Sequence, residues 1–178
     1  MLKSSRLLLS HLEAIDLNST YLDWLNDPEV NCYLETRFLQ QTSESLQAYW
    51  QSHREDLSSP WFAIRLSADR RHIGNIKLGP IHWLHRRADI SLFIGDRSCW
   101  GHGYATEAIT LIRDWAFREL DLQKLGAGIY SCNIGSRRAF EKAGFELEGS
   151  LREEVVCSGR RIDTWRMGLP RSCWIPDS

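Results

Sequence analysis

Apolar residues recur along this chain with two different periods, and the changes of period mark its elements. The run RLLLSHL, residues 6–12, is short and nearly continuous, which predicts an opening strand. Leu17, Tyr21, Trp24 and Leu25 then fall at helical spacing, with Asp16 placed to cap the helix and Pro28 to end it. A second helix is predicted from Thr42 or Ser43, with Leu46, Tyr49, Trp50 and Leu57 on its apolar face. After Pro60 the pattern becomes that of strands: WFAIRL, HIGNIKL and ADISLFI, separated by turn residues. Helical period returns with Ala105, Ala108, Ile109, Ile112 and Ala116, and runs to about Leu120. LGAGIY reads as one more strand. NIGSRRAFEKAG reads as a short helix capped by Asn133, with Ala139, Phe140 and Ala143 inward and Gly144 in the C′ position. The remaining segment, residues 145–169, predicts two strands joined at Ser158-Gly159. The order β-α-α-β-β-β-α-β-α-β-β, with helices interrupting a mostly antiparallel series, is an α+β pattern.

Length and composition narrow the picture without naming a chemistry. The chain has 178 residues and neither repeat nor linker, so one domain over 1–178 is expected. With 22 basic and 23 acidic residues the formal net charge is −1, so no global field favours nucleic acid or an anionic membrane. No apolar run approaches ~18 residues, and the opening leucines are too few for a leader, so a cytoplasmic protein is expected. Five cysteines without a C-x-x-C pair fit reduced thiols. His72, His82 and His85 lack a further ligand at suitable spacing, and no metal is expected.

The stretch CWGHGYATEA, residues 99–108, places Gly101 and Gly103 just before a helix. Bare amides at a helix N-terminus suit an anion. A dinucleotide fingerprint would need a small residue where Thr106 stands, and an acid after the next strand; a P-loop would need a G-K-[ST] triplet, and the chain has none. A grip on pyrophosphate by backbone amides alone requires neither lysine nor metal. A glycine-rich turn without a ligand is the alternative that local sequence leaves open.

Two segments decide between them. DRSCWGHGYATEAITLIRDWAF and, one strand later, NIGSRRAFEKAGFELEG resemble the Gcn5-related N-acetyltransferase (GNAT) superfamily, in particular its ribosomal-protein N-terminal and spermidine acetyltransferase branch. WLNDPEVNCYLETRF and IGNIKLGPIHWLHRRADISLFIG are similar to the same branch, so the resemblance covers nearly the whole chain. It implies a mixed, mostly antiparallel central sheet with flanking helices, and acetyl-CoA as acetyl donor. It places the coenzyme pyrophosphate on the amides of Trp100, Gly101, His102, Gly103, Tyr104 and Ala105, and the pantetheine arm along SLFIG. The superfamily's leading Gln/Arg falls on Ser98, with Arg97 one residue early, so an Arg97 contribution is not expected.

A primary amine has a pKa of roughly 10 and must lose a proton before it attacks a thioester. The site therefore needs a proton acceptor, a donor for developing oxyanion charge, and a proton for the leaving thiolate. The resemblance implies Asp89 as base, acting through water; pairing with Arg86 or Arg87 is its structural alternative. It implies Ser136 as thiolate donor, because Phe140 occupies the place where many relatives have tyrosine. The amides near Phe93 and Ile94 are the oxyanion candidates. Asn133 is expected both to cap its helix and to touch pantetheine, with Phe140 beside the thiol. Glu35 and Trp83 are the candidate acceptor contacts. The acceptor is a small-molecule or peptide amine, first an amino sugar or nucleotide-linked amino sugar, with a polyamine or a protein N-terminus as alternatives. A non-catalytic acyl-CoA-binding module is the competing class, and a homodimer is compatible with all of these.

Overall fold

The computed structural model describes residues 1–176. Its elements in chain order are β1 (Leu2–Lys3), β2 (Leu7–His11), α1 (Ser19–Asn26), α2 (Pro28–Asn31), α3 (Ser43–His53), β3 (Trp61–Leu66), β4 (His72–Leu78), β5 (Arg87–Ile94), α4 (Tyr104–Arg118), β6 (Lys124–Tyr130), α5 (Ile134–Lys142), β7 (Glu146–Cys157) and β8 (Arg160–Pro170). The strands form one eight-stranded sheet in the order β1-β2-β3-β4-β5-β6-β8-β7. Every neighbouring pair is antiparallel except β5–β6.

Local chemistry explains most element boundaries. Asn18, not Asp16, caps α1: its side chain accepts from the Tyr21 amide at 3.1 Å. Asp16 instead accepts from the Glu13 amide in a preceding 3₁₀ turn and pairs with Arg65 on β3. Pro28 ends α1 as expected but also opens α2, at a position where a missing N–H costs nothing. Thr42 caps α3, of which only Leu46 is buried; Tyr49 is exposed, and Leu57 lies beyond the helix in solvent. Ser158 and Gly159, both at positive φ, make the two-residue turn between β7 and β8.

The two faces of the sheet carry separate cores. Helices α4 and α5 cover one face, where Phe62, Ile64, Ile76, Ile109, Ile112, Phe117 and Phe140 are buried together. Helices α1–α3 cover part of the other, where Tyr21, Trp24, Leu25, Leu46 and Ala63 pack with Phe93 and Trp61. The parallel pair between them sets up the site. β5 and β6 pair only at Arg87–Asp89 against Lys124–Gly126, after which the strands part. Their C-terminal halves therefore open a gap, and α4 and α5 both start at that open end.

Candidate active site

The gap is edged by backbone. Gly79 donates to the Asp89 carbonyl and Gly95 to the Ile73 carbonyl, each at 2.8 Å. By the alternation of an antiparallel ladder, Ser91 and Phe93 also turn their backbone groups to β4, leaving Leu92 and Ile94 facing the gap. This corrects the expectation for Phe93: its amide serves the sheet, and its ring packs against Tyr21 and Trp24. The Ile94 amide faces the gap, while the Ile94 carbonyl accepts from Trp100 Nε1 at 2.8 Å.

The loop after β5 has the form of an anion cradle. Asp96 holds a 3₁₀ turn by accepting from the Ser98 amide and hydroxyl at 3.0 and 2.6 Å. Burial opposes ionisation of Asp96, yet Ser98 and Arg71 outweigh it and hold the carboxyl below its ordinary range. Gly101 and Gly103 have φ of 76° and 80°, with His102 between them. A Cβ on Gly101 would meet nothing within 4 Å, and one on Gly103 only an Arg6 nitrogen at 3.7 Å. The space over both glycines is thus open, and only glycine adopts this backbone cheaply. The Trp100 amide is already taken by the Arg97 carbonyl at 3.1 Å. The available run therefore begins at Gly101 and continues through Tyr104, Ala105 and Thr106, whose amides precede the first helical bond, Glu107 to Gly103. Trp100, half-exposed, borders the cradle with its ring.

Sequence reasoning missed the loop's buttress. Arg6 donates to the His102 carbonyl at 3.0 Å and to Glu107 at 2.7 Å, and lies over the Tyr104 ring at 4.9 Å. Nothing local could have shown a contact across nearly a hundred residues. Arg97 pairs with Glu29 at 2.6 Å and Asp27 at 3.6 Å.

On the other side of the gap, Asn133 accepts from the Ser136 amide at 3.1 Å and caps α5. Ser136 lies in the first turn, and among the described residues its hydroxyl makes no hydrogen bond. Phe140 departs from expectation: it is buried in the core, edge-on to Phe145 at 5.1 Å, because its place on α5 turns it to the sheet.

The face opposite α4 and α5 holds the polar groups. On β6 it shows Gly126, Gly128 and Tyr130, so two glycines make a floor without side chains. Asp89 stands at one end, and its partner is neither Arg86 nor Arg87: Arg166 of β8 reaches across the floor to donate at 2.9 Å. The ion pair is a third exposed on both sides, which leaves Asp89 open to water. Buried Thr164 adds a hydroxyl that has no partner among the described residues. At the other end the Tyr130 hydroxyl donates to Glu35 and accepts from Arg37 at 3.1 Å. Burial first, and then the Glu35 bond, push the Tyr130 phenol up, so it stays protonated at neutral pH. Arg37 also donates to the carbonyls of Leu34 and Val156 at 2.6 and 2.7 Å, pinning this turn to β7. Trp83 lies in the loop before β5, at the end of that strand opposite the cradle, about 20 Å away along the strand.

A splayed parallel pair carries a glycine cradle after one strand and a capped helix after the other, and comparison with known proteins identifies the arrangement. The model of the acetyltransferase (GNAT) domain matches residues 6–146. The chain belongs to the GNAT acetyltransferase family. It is an acetyl-CoA-dependent N-acetyltransferase, and the alternative of a non-catalytic acyl-CoA module is set aside. A probable N-acetyltransferase of Bacillus subtilis, YjcK, is 42% identical over 101 residues, 55% of this chain and 54% of that one. The spermidine N(1)-acetyltransferase of Vibrio cholerae is 28% identical over 132 residues, 74% of this chain and 75% of that one. The crystal structure of the Vibrio cholerae spermidine N-acetyltransferase with CoA and spermine superposes with a TM-score of 0.86 at 27% identity, covering 96% of this chain and 98% of that one. The open space over Gly101 and Gly103 fits the coenzyme that the family uses. Among the described residues no cluster could hold a metal, and no helix is long and apolar enough to cross a membrane.

Proposed function

We propose that this GNAT acetylates a primary amino group of a small polycation of the polyamine type. The observation that carries this reading is the pair of carboxylates on one face of the sheet. Asp89 and Glu35 stand at the two ends of the Gly126–Gly128 floor, and the four strand steps from Gly126 to Tyr130 span about 13 Å. That length suits an amine that reacts at one end and is held by charge at the other. Tyr130 occupies one Glu35 oxygen and leaves the second for an ammonium group. The named acceptor of the relatives above is spermidine, which favours the polyamine over the amino sugar that the sequence put first.

Acetyl-CoA supplies an acetyl group activated as a thioester, held by the amides of Gly101–Thr106 and the exposed backbone of β5. Asp89, paired with Arg166 at 2.9 Å and reached by water, takes the ammonium proton through that water. Of the amides that β5 turns to the gap, that of Leu92, about 10 Å along the strand from Asp89, is the nearer to meet developing negative charge. Ser136 brings a hydroxyl proton to the leaving thiolate from the first turn of α5.

Thiol release from acetyl-CoA, measured against spermidine, spermine, amino sugars with their nucleotide conjugates, and peptides with free N-termini, tests the reading. Polyamines are expected to lead by at least about tenfold in kcat/KM, a difference of about 1.4 kcal/mol. Glu35→Gln should raise KM for spermidine several-fold while leaving that of a monoamine unchanged. Preference for an amino sugar, or an equal effect on both amines, would overturn the assignment.

A further inference from the structure

Three of the five cysteines, distant in sequence, converge beside the acceptor side of the molecule. Cys32 ends α2, Cys132 follows β6, and Cys157 ends β7. Cys132 and Cys157 bring their sulfurs to 3.8 Å, the Cys132 thiol directed at the other. Cys32 and Cys157 also line a surface cavity of about 630 Å³, together with Arg37, Phe38, Asn31 and Ser158. The cavity is large enough for a tripeptide-sized molecule, and Arg37 offers it a cation for a carboxylate. Cys132 is exposed, Cys32 and Cys157 partly so.

We propose that Cys157 and Cys132 form a thiol–disulfide exchange site whose substrate is a low-molecular-weight disulfide of the glutathione type, bound in the cavity lined by Cys157 and Arg37. The Cys157 thiolate attacks one sulfur of the small disulfide, forming a mixed disulfide and expelling one small thiolate. Cys132, 3.8 Å away, then attacks Cys157, closing the Cys132–Cys157 bond and expelling the second small thiolate. Two protons leave the protein thiols, and two electrons pass to the small disulfide, which is reduced to two thiols. The sulfurs need close by less than 2 Å to reach the bond length of about 2.05 Å. Burial, followed by the Cys157 sulfur, pushes the Cys132 thiol up, which suits it to the second step rather than the first. Cys132 precedes Asn133, the cap of α5, and Cys157 follows Val156, the anchor of Arg37. The bond would therefore tie the thiolate side of the site to its acceptor side.

The full-length protein, reduced and then equilibrated with oxidised and reduced glutathione at defined ratios, tests this by intact mass and peptide mapping. Wild type should lose two hydrogens and yield a Cys132–Cys157 cross-linked peptide, exceeding mixed disulfide by at least about tenfold. Cys132→Ser should stop at a glutathione adduct on Cys157, Cys157→Ser should form no cross-link to Cys132, and a reducing buffer should restore the wild-type mass. Circular dichroism of each variant checks that it is folded, which substitution at exposed or half-exposed thiols permits. A stable adduct on wild type, a cross-link from Cys32 instead, or no oxidation at ratios that modify Cys132→Ser would overturn the proposal. Acetyl transfer plays no part in these readouts, so they stand apart from the acceptor assignment.

Discussion

Single residues carry the chemistry of the cradle, and Gly103 is the sharpest case. At a φ of 80° a β-branched residue is strained, so Gly103→Val should cost roughly 1–3 kcal/mol of stability. It should also weaken acetyl-CoA binding by more than about tenfold, because its side chain enters the space the phosphates need. Thermal unfolding and coenzyme titration measure the two effects separately; unchanged affinity would remove the cradle from the site. His72 gives a residue-scale effect of a different kind. Its ring is packed edge-on against Tyr21 and Trp24 and bonded to the Gly74 carbonyl at 2.9 Å and to Asn75 at 3.0 Å, with Asp16 and Arg65 nearby. Burial holds its pKa below the ordinary value. The unfolded chain therefore binds the proton more readily, and the contribution of His72 is complete above the unfolded pKa of about 6.5 and is lost as pH falls toward the folded value. Stability should fall on acidification below that point by up to about 1.4 kcal/mol per unit, and His72→Gln should flatten that part of the profile.

At the scale of elements, the gap exists because β5 and β6 pair over three residues and then diverge. α5 supplies the other wall, and its cap separates two roles that sequence could not. Asn133 satisfies the helix amide, which leaves the Ser136 hydroxyl without a bond among the described residues, as the proposed proton donor requires. Ser136→Ala should therefore lower kcat by about 10²-fold, the worth of a general acid, with coenzyme affinity unchanged. Wild-type turnover would assign the proton to water. The turn from Glu35 to Phe38, proposed above to hold the far end of the acceptor, is pinned by Arg37 against β6 and β7. Tyr130→Phe frees Glu35 while keeping the ring, so acceptor KM should rise about threefold to tenfold with little change in kcat. Equal loss in both parameters would point to a wider collapse of the turn.

Across the whole molecule, the two cores have different duties. Phe117, fully buried under α4 and near the Trp174 ring at 5.4 Å, belongs to the larger one. Trp24 belongs to the smaller one, and its ring lies where a Cβ on Gly95 would be, at the start of the cradle loop. Truncation of either to alanine should cost about 3–5 kcal/mol. Only Trp24→Ala should also weaken acetyl-CoA binding, because it alone supports the loop; titration at a temperature where both variants are folded separates them. Equal affinities would show that the smaller core carries acceptor-side structure alone.

Sequence by itself determined most of the elements, though neither β1 nor α2, and the glycine-rich turn before α4. Helical and strand periods are local, as are the caps at Thr42 and Asn133 and the demand for glycine at 101 and 103, so all were legible before any fold was known. The motif pair around Gly103 and Asn133 extended that reading to the family, and with it to the donor. Tertiary structure decided everything that depends on which strands become neighbours. It paired Asp89 with Arg166 rather than with Arg86 or Arg87, spent the amides of Phe93 and Trp100, buried Phe140 and left Trp83 exposed in the loop before β5. It also gathered Glu35, Arg37 and Tyr130, and brought together cysteines that show no spacing pattern. The reason is physical: a side chain's own period fixes which face it takes, but its partner across the sheet is chosen by register and crossover, which no single segment encodes.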